Sequence, residues 1–241
     1  MEDAIRVFNE YAKTFDLSDP NLLLKYHHSH RVMEIAKEIA ESLSLNENEV
    51  YIASLCGLLH DIGRFEQYAK YGTYKDSKSE DHGDLGFNIL NDGLINKFDM
   101  DDLTKKIVLS ATKEHNKMDY EPLNEQYDLF IKITRDADKL DIAKTHCITN
   151  NDSEIVLKDE VVNAIYNDEL VNNLVCETDT DEILRTIAWI NDLNFPFSYQ
   201  YLLDNNIIDN KFHLLELYGE REDVTKLKEY VYQKFKEKAG K

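Results

Sequence analysis

The sequence predicts an all-α protein. Apolar residues recur every three or four positions in one segment after another, which is the spacing of an amphipathic helix. Only three prolines and eight glycines interrupt the 241 residues, and no series of alternating apolar and polar residues predicts strands. This length is sufficient for one large helical core with an appendage.

Six amphipathic segments precede residue 150. Their apolar stripes predict helices over residues 4–15, 26–43, 49–61, 81–90, 100–115 and 129–142. A break at Asp19-Pro20 separates the first two helices and can cap the second. Residues 66–80 are rich in tyrosine, lysine and serine, and we predict a mobile loop there.

The second helix contains a histidine cluster before its apolar stripe. His28 lies four residues before Val32, the first strong apolar position, and therefore on the same face of the helix. His27 and His30 point away from that face. We predict that His28 is a metal ligand and that the other two are surface histidines.

The pair His60-Asp61 ends the apolar run of the third helix, and Gly63 is expected to stop the helix. The side chains of neighbouring helical residues point about 100° apart. The two side chains can therefore both bind at one metal centre only where the helix ends and the backbone turns. There the imidazole can bind one ion while the carboxylate, with two oxygens, bridges to a second.

Beyond residue 150 the chain carries further amphipathic segments but one histidine, His213, which is expected to be packed or on the surface. The segments cover residues 157–168, 179–193, 197–205 and 221–238. We predict a core with the metal site over residues 1–148 and a helical extension packed on it over 149–241. The extension would shape the substrate pocket without supplying metal ligands. Aromatic residues around Pro196 could wall a pocket or stack on a base, but we expect them to pack the added helices onto the bundle.

Composition limits the classes of function. The formal net charge of −19 would repel a phosphate backbone and disfavours nucleic-acid binding. No apolar run approaches the ~20 residues needed to cross a bilayer, and the acidic N-terminus does not resemble a secretion signal. The three cysteines, Cys56, Cys147 and Cys176, are far apart, as expected of reduced thiols in a cytoplasmic protein. The oligomeric state is not predicted.

Four histidines and two aspartates stand at inward or helix-end positions. They are His28, His60, Asp61, His82, His115 and Asp138. Imidazole and carboxylate ligands without a thiolate suit Mn, Fe, Co, Ni or Zn and argue against a structural cysteine-type zinc site. Six ligands are too many for one catalytic ion with an open position, but they suit two divalent ions that share Asp61.

Five short motifs, in this order, resemble those of the HD-domain metal-dependent phosphohydrolases. The segment His28-Ser29-His30-Arg31-Val32 is similar to the family's H-S-x-x-V element. His60-Asp61-Ile62-Gly63-Arg64 is similar to its H-D-I-G-[KR] element, and Ala137-Asp138-Lys139 to its closing A-D-[KR] element. His82 and His115 match the two extra histidines of two-metal members. The resemblance covers residues 22–145 and implies an HD-domain helical bundle with additional C-terminal helices.

The resemblance also implies how the ligands divide. One ion would be held by His28, His60, Asp61 and Asp138, and the other by Asp61, His82 and His115. The single histidine at His115 departs from the tandem pair of cyclic-dinucleotide phosphodiesterases in this superfamily. That departure favours a smaller phosphorylated substrate, a nucleotide or another small phosphate ester.

The expected chemistry is metal-assisted hydrolysis. Two ions ~3.5–4 Å apart would activate a bridging water at Asp61 and clamp the phosphoryl oxygens. Arg64, three residues after Asp61, is expected to donate to a phosphate oxygen, or else to form a surface salt bridge. The alternatives are a di-iron oxygenase of the same superfamily and a catalytically idle nucleotide sensor.

Overall fold

The computed structural model describes residues 1–122, 124–145, 150–171, 175–217, 219 and 221–240. Within these ranges the chain is helical and forms no strand, which confirms the predicted all-α class. It divides into two compact units, Met1–Asp138 and Lys139–Lys241. The predicted division between residues 148 and 149 stays a prediction, and residue 148 lies outside the described ranges.

The first unit holds seven helices among its described residues, the last of which continues past the unit boundary. They are α1 Glu2–Ala12, α2 Pro20–Ser42, α3 Glu47–Leu59, α4 Gly63–Tyr71, α5 His82–Asn91, α6 Asp102–Glu114 and α7 Glu125–Thr145. Short 3-10 helices follow α4 and α5, at Asp76–Lys78 and Leu94–Lys97. Helix α3 is central, since every residue from 52 to 59 is buried and it packs against both α2 and α6. A helix that is apolar on all sides belongs inside the core.

Helix α2 begins where the sequence predicts a cap. The Asp19 side chain accepts a hydrogen bond from the Asn21 backbone N–H, and Pro20 occupies the first turn. His28 is buried and His27 is exposed, as the helical phase predicts. The prediction for His30 is wrong: it is half-buried, its Nε2 lies 3.0 Å from Asn9 Oδ1, and its ring meets the edge of Phe8. Helix α1 covers that face, which the phase of α2 alone does not reveal.

The prediction that Gly63 stops a helix is also wrong. Helix α3 ends at Leu59, His60 and Ile62 keep helical dihedrals, and Gly63 is the first residue of α4. A Cβ at Gly63 would lie 2.4 Å from the His82 carbonyl oxygen and 2.6 Å from Gly86 N. Glycine is therefore required because α4 approaches the backbone of α5 at this point.

The predicted loop over residues 66–80 is wrong for its first part, because α4 continues to Tyr71 and ends at Gly72 with φ +64°. Phe65 and Gln67 are buried on the inner face of α4. The apolar pattern did not predict this helix, because its buried face contains the polar residue Gln67. Only the segment after Gly72 is irregular, and it contains the 3-10 helix at Asp76–Lys78.

Helices α5 and α6 each start at an aspartate cap. Asp81 accepts a hydrogen bond from the Asp84 N–H at 3.0 Å, and Asp101 accepts one from the Thr104 N–H at 2.7 Å. Helix α5 packs against α4 and α6. This packing places the start of α5 beside the end of α6, where His115 follows the last helical residue.

The second unit has its own apolar core. Beyond the end of α7 its helices are α8 Asp159–Tyr166, α9 Asp179–Ala188, α10 Pro196–Asp204, α11 Ile207–Leu215 and α12 Glu222–Lys238. Helix α11 was not among the predicted segments, and Asn206, which starts it, has a left-handed conformation with φ +54°. Tyr199 is buried against Phe235 and donates to the Leu193 carbonyl, and both contacts lie within the second unit.

No described helix combines the length and apolar character needed to span a bilayer. Cys56 is a buried free thiol, and burial raises its pKa. Cys176 is half-buried, whereas Cys147 lies outside the described residues.

Candidate metal centre

The six side chains that the sequence singles out come together inside the first unit. Each stands at a turn or on an inner helix face: His28 in α2, His60 and Asp61 after α3, His82 at the start of α5, His115 after α6, and Asp138 in α7. All are buried except Asp138, whose side chain is 21% exposed. Five separate stretches of chain thus converge on one interior point.

A first set of ligand atoms consists of His28, His60 and Asp138. The two Nε2 atoms of the histidines lie 3.2 Å apart. Asp138 Oδ1 lies 3.1 Å from His28 Nε2 and 3.5 Å from His60 Nε2. Two imidazole nitrogens and a carboxylate oxygen therefore face one another at distances that a single ion could bridge.

A second set consists of His82 and His115, whose Nε2 atoms lie 3.1 Å apart. Asp61 lies between the two sets and divides its oxygens between them. Its Oδ1 is 3.5 Å from His82 Nε2 and 3.7 Å from His115 Nε2. Its Oδ2 is 3.5 Å from His28 Nε2 and 3.6 Å from His60 Nε2. This division is the arrangement a bridging carboxylate needs.

The two sets are contiguous. The rings of His60 and His115 meet edge to face with centroids 5.0 Å apart. Ligand atoms of His60, Asp61 and His115 also lie within 4.8 Å of one another. His60 thus stands next to both sets, although the resemblance assigns it to one.

Hydrogen bonds at the far ring nitrogens fix the orientation of these histidines. His60 Nδ1 lies 2.7 Å from the Gly57 carbonyl, and His115 Nδ1 lies 2.8 Å from the Thr112 carbonyl. A carbonyl accepts only from N–H, so each Nδ1 carries the proton and each Nε2 presents a lone pair to the centre. His82 Nδ1 instead lies 2.7 Å from a carboxylate oxygen, Oδ2 of Asp76.

The charge states suit metal binding. Burial opposes ionisation of Asp61, but the ammonium group of Lys25 holds its pKa well below the usual range. Burial lowers the pKa of His82, which favours the neutral imidazole that a metal requires.

The sequence did not predict the contacts that Lys25 and Asp76 make with the centre. Lys25 donates to Asp61 Oδ2 at 2.8 Å, and Asp76 binds His82. Lys25 precedes His28 by three positions on α2, so helical phase could have placed it on the inner face. Asp76 carries no periodic signal, because it lies in the irregular segment after Gly72.

Arg64 is 14% exposed and lies beside the centre rather than on the surface. Its Nη1 donates to Tyr74 O at 2.6 Å, Gln67 Oε1 at 2.8 Å and Asp76 Oδ1 at 3.1 Å. Its Nε lies 3.5 Å from Asp61 Oδ1 and has no hydrogen-bond partner among the described residues. Nη1 of the guanidinium therefore binds neighbouring protein atoms, while Nε faces the Asp61 carboxylate.

The residues present fit a metal. Asp138 Oδ1 is buried and has no hydrogen-bond partner in the described part of the chain, although it points at two imidazole nitrogens. A buried anionic oxygen without a partner is costly, and a cation at this point would relieve that cost. The mixture of nitrogen and oxygen donors suits divalent transition metals.

We expect His28→Ala to weaken Mn²⁺ binding at the first set on the order of 100-fold or more. Loss of a residue that only contacts a ligand weakens metal binding by about 10–100-fold, and loss of the ligand itself should weaken it more. The measurement is Mn²⁺ titration of protein stripped with a chelator. His27→Ala and His30→Ala are matched controls on the same helix and should bind Mn²⁺ normally. Loss of binding in His30→Ala without loss in His28→Ala would contradict the assignment.

A family model described as HD domain matches residues 26–143. The matched range contains all six side chains of the centre. No curated protein and no solved structure matches the chain.

Proposed function

We propose that this protein is a metal-dependent phosphohydrolase with two divalent transition-metal ions, since residues 26–143 match the family model described as HD domain. Its substrate would be a nucleotide or another small phosphate ester. The observation that carries the proposal is the position of Asp61, whose two oxygens face two separate sets of histidines. A centre for a single ion would not need a carboxylate shared in this way.

When bound, two ions would lower the pKa of a coordinated water and neutralise charge on the phosphoryl oxygens. The chain's own residues would supply the geometry. Asp61 would bridge the two sets, and the neutral histidines would direct their Nε2 lone pairs inward. The buried surroundings would keep bulk water away and strengthen each electrostatic contact.

Two cations beside Asp61 support a phosphorylated substrate. Lys25 and Arg64 both lie against the ring of Tyr74, at 5.5 Å and 5.8 Å from its centroid. Arg64 would offer its Nε–H to a substrate oxygen, and Lys25 would offer its ammonium. This local positive charge contrasts with the net charge of −19, which favours a small substrate over a nucleic acid.

The test is a screen for phosphate release from nucleoside mono-, di- and triphosphates and sugar phosphates in the presence of Mn²⁺. We expect turnover of at least one class, abolished by a chelator and restored by added metal. His213→Ala is a matched histidine control, because His213 is exposed on α11. Absence of phosphate release from every ester, together with oxygen uptake by the iron-loaded protein, would overturn the proposal and favour an oxygenase.

A further inference from the structure

We propose that Asp76 is a positioning residue that holds the ring of His82 in the orientation the second metal ion requires. The inference rests on the proposed two-metal function and adds a residue to it. Asp76 Oδ2 accepts a hydrogen bond from His82 Nδ1 at 2.7 Å, which leaves Nε2 facing Asp61 Oδ1 at 3.5 Å. Asp76 touches the ligand and not the ion.

The position of His82 explains why a side chain is needed here. His60 and His115 follow complete helices, and each donates to a carbonyl three residues earlier. His82 is the first residue of α5, and Ser79, three residues earlier, has the non-helical dihedrals φ −148° and ψ −123°. No preceding helical turn offers His82 a carbonyl, so the acceptor must come from another segment.

Asp76 is itself held in place by α4. Its second oxygen, Oδ1, accepts from Gln67 Nε2 at 2.8 Å and from Arg64 Nη1 at 3.1 Å. Gln67 is fully buried and also donates to the Glu80 carbonyl at 2.8 Å. These bonds tie the segment between α4 and α5 to a rigid helix, so that the carboxylate meets His82 with a fixed geometry.

One neighbouring group competes for the same ring nitrogen. Asn116 Nδ2 lies 3.3 Å from His82 Nδ1, but it donates to Asp81 Oδ2 at the shorter distance of 3.0 Å. The shorter contact to Asp76 makes the carboxylate the acceptor of the His82 proton. An ionised acceptor also makes the opposite nitrogen more basic and therefore a stronger ligand.

The first test measures metal affinity in the full chain. Stripped protein titrated with Mn²⁺ should show two classes of site. In Asp76→Ala we expect the Mn²⁺ affinity of one class of site to fall by about 10–100-fold, which is the range for loss of a residue that contacts a ligating histidine. The Mn²⁺ affinity of the other class should change less than about twofold. Glu80→Gln is the matched control, because it removes a charge from the same segment at a side chain that pairs with Lys70.

The outcomes separate the two proposals. Wild-type protein that binds fewer than two Mn²⁺ ions would overturn both the two-metal function and the role of Asp76. Two normal classes in wild type that are unchanged in Asp76→Ala would overturn the role of Asp76 alone.

The second test distinguishes positioning of the ring from support of the segment. Nitrogen NMR of the metal-free protein should show the His82 proton on Nδ1 in wild type and in Glu80→Gln. In Asp76→Ala it should move in part to Nε2, whereas Asp76→Asn, which keeps an oxygen acceptor, should retain the wild-type tautomer. An Nδ1–H tautomer that persists in a folded Asp76→Ala protein would contradict the proposal.

Discussion

Replacing Asp61 with asparagine is expected to remove both metal ions and to lower phosphate-ester turnover about a thousandfold or more, since the ions contribute several kcal/mol of transition-state stabilisation. Asparagine keeps the shape of the side chain but cannot offer an anionic oxygen to each set. No other carboxylate in the described part of the centre contacts both sets of histidines. The measurements are bound metal after dialysis against Mn²⁺ and release of phosphate.

Asp138→Asn is the matched control for this substitution. Asp138 Oδ1 contacts only His28 and His60 among the histidines, so its loss should weaken the first ion and leave the second in place. Lys25 loses its partner in Asp61→Asn, so circular dichroism must show that the variant remains folded. Two equivalents of Mn²⁺ retained by folded Asp61→Asn would contradict the bridging role.

Replacing Gly63 with alanine is expected to destabilise the first unit by about 3 kcal/mol, the upper range for forcing atoms into a packed interior. The new methyl group would stand 2.4 Å from His82 O and 2.6 Å from Gly86 N. Both are backbone atoms, so α4 and α5 must move apart. Because His82 starts α5, the movement should also weaken Mn²⁺ binding at the second set.

The free energy of unfolding in urea and the Mn²⁺ titration together measure this effect. Gly72→Ala provides the comparison, because no neighbouring atom lies within 4 Å of a Cβ there and only the φ of +64° opposes it. We expect Gly72→Ala to lower the free energy of unfolding by about 1–2 kcal/mol and to bind Mn²⁺ normally. Equal stability of Gly63→Ala and wild type would show that the helices accommodate the methyl group.

The helices and the composition of the centre could be predicted from sequence because their signals are local. The phase of Val32 places His28 inside, and Asp19 marks where α2 begins. Predictions failed where a local signal had two meanings. Gly63 was expected to end a helix, since glycine often does so, but here it permits two helices to approach. Residues 66–71 were expected to be a loop, because the buried face of α4 includes Gln67.

The sequence by itself determined the all-α class, the capped helices and the six candidate ligands, because a helix repeats its contacts every three to four residues along the chain. Only the tertiary structure decided how Asp61 divides its oxygens, and that Asp76 belongs to the centre. These contacts join segments distant in sequence or cross an irregular turn. Their geometry depends on how α2, α4 and α5 pack together, and no period in the sequence encodes that packing.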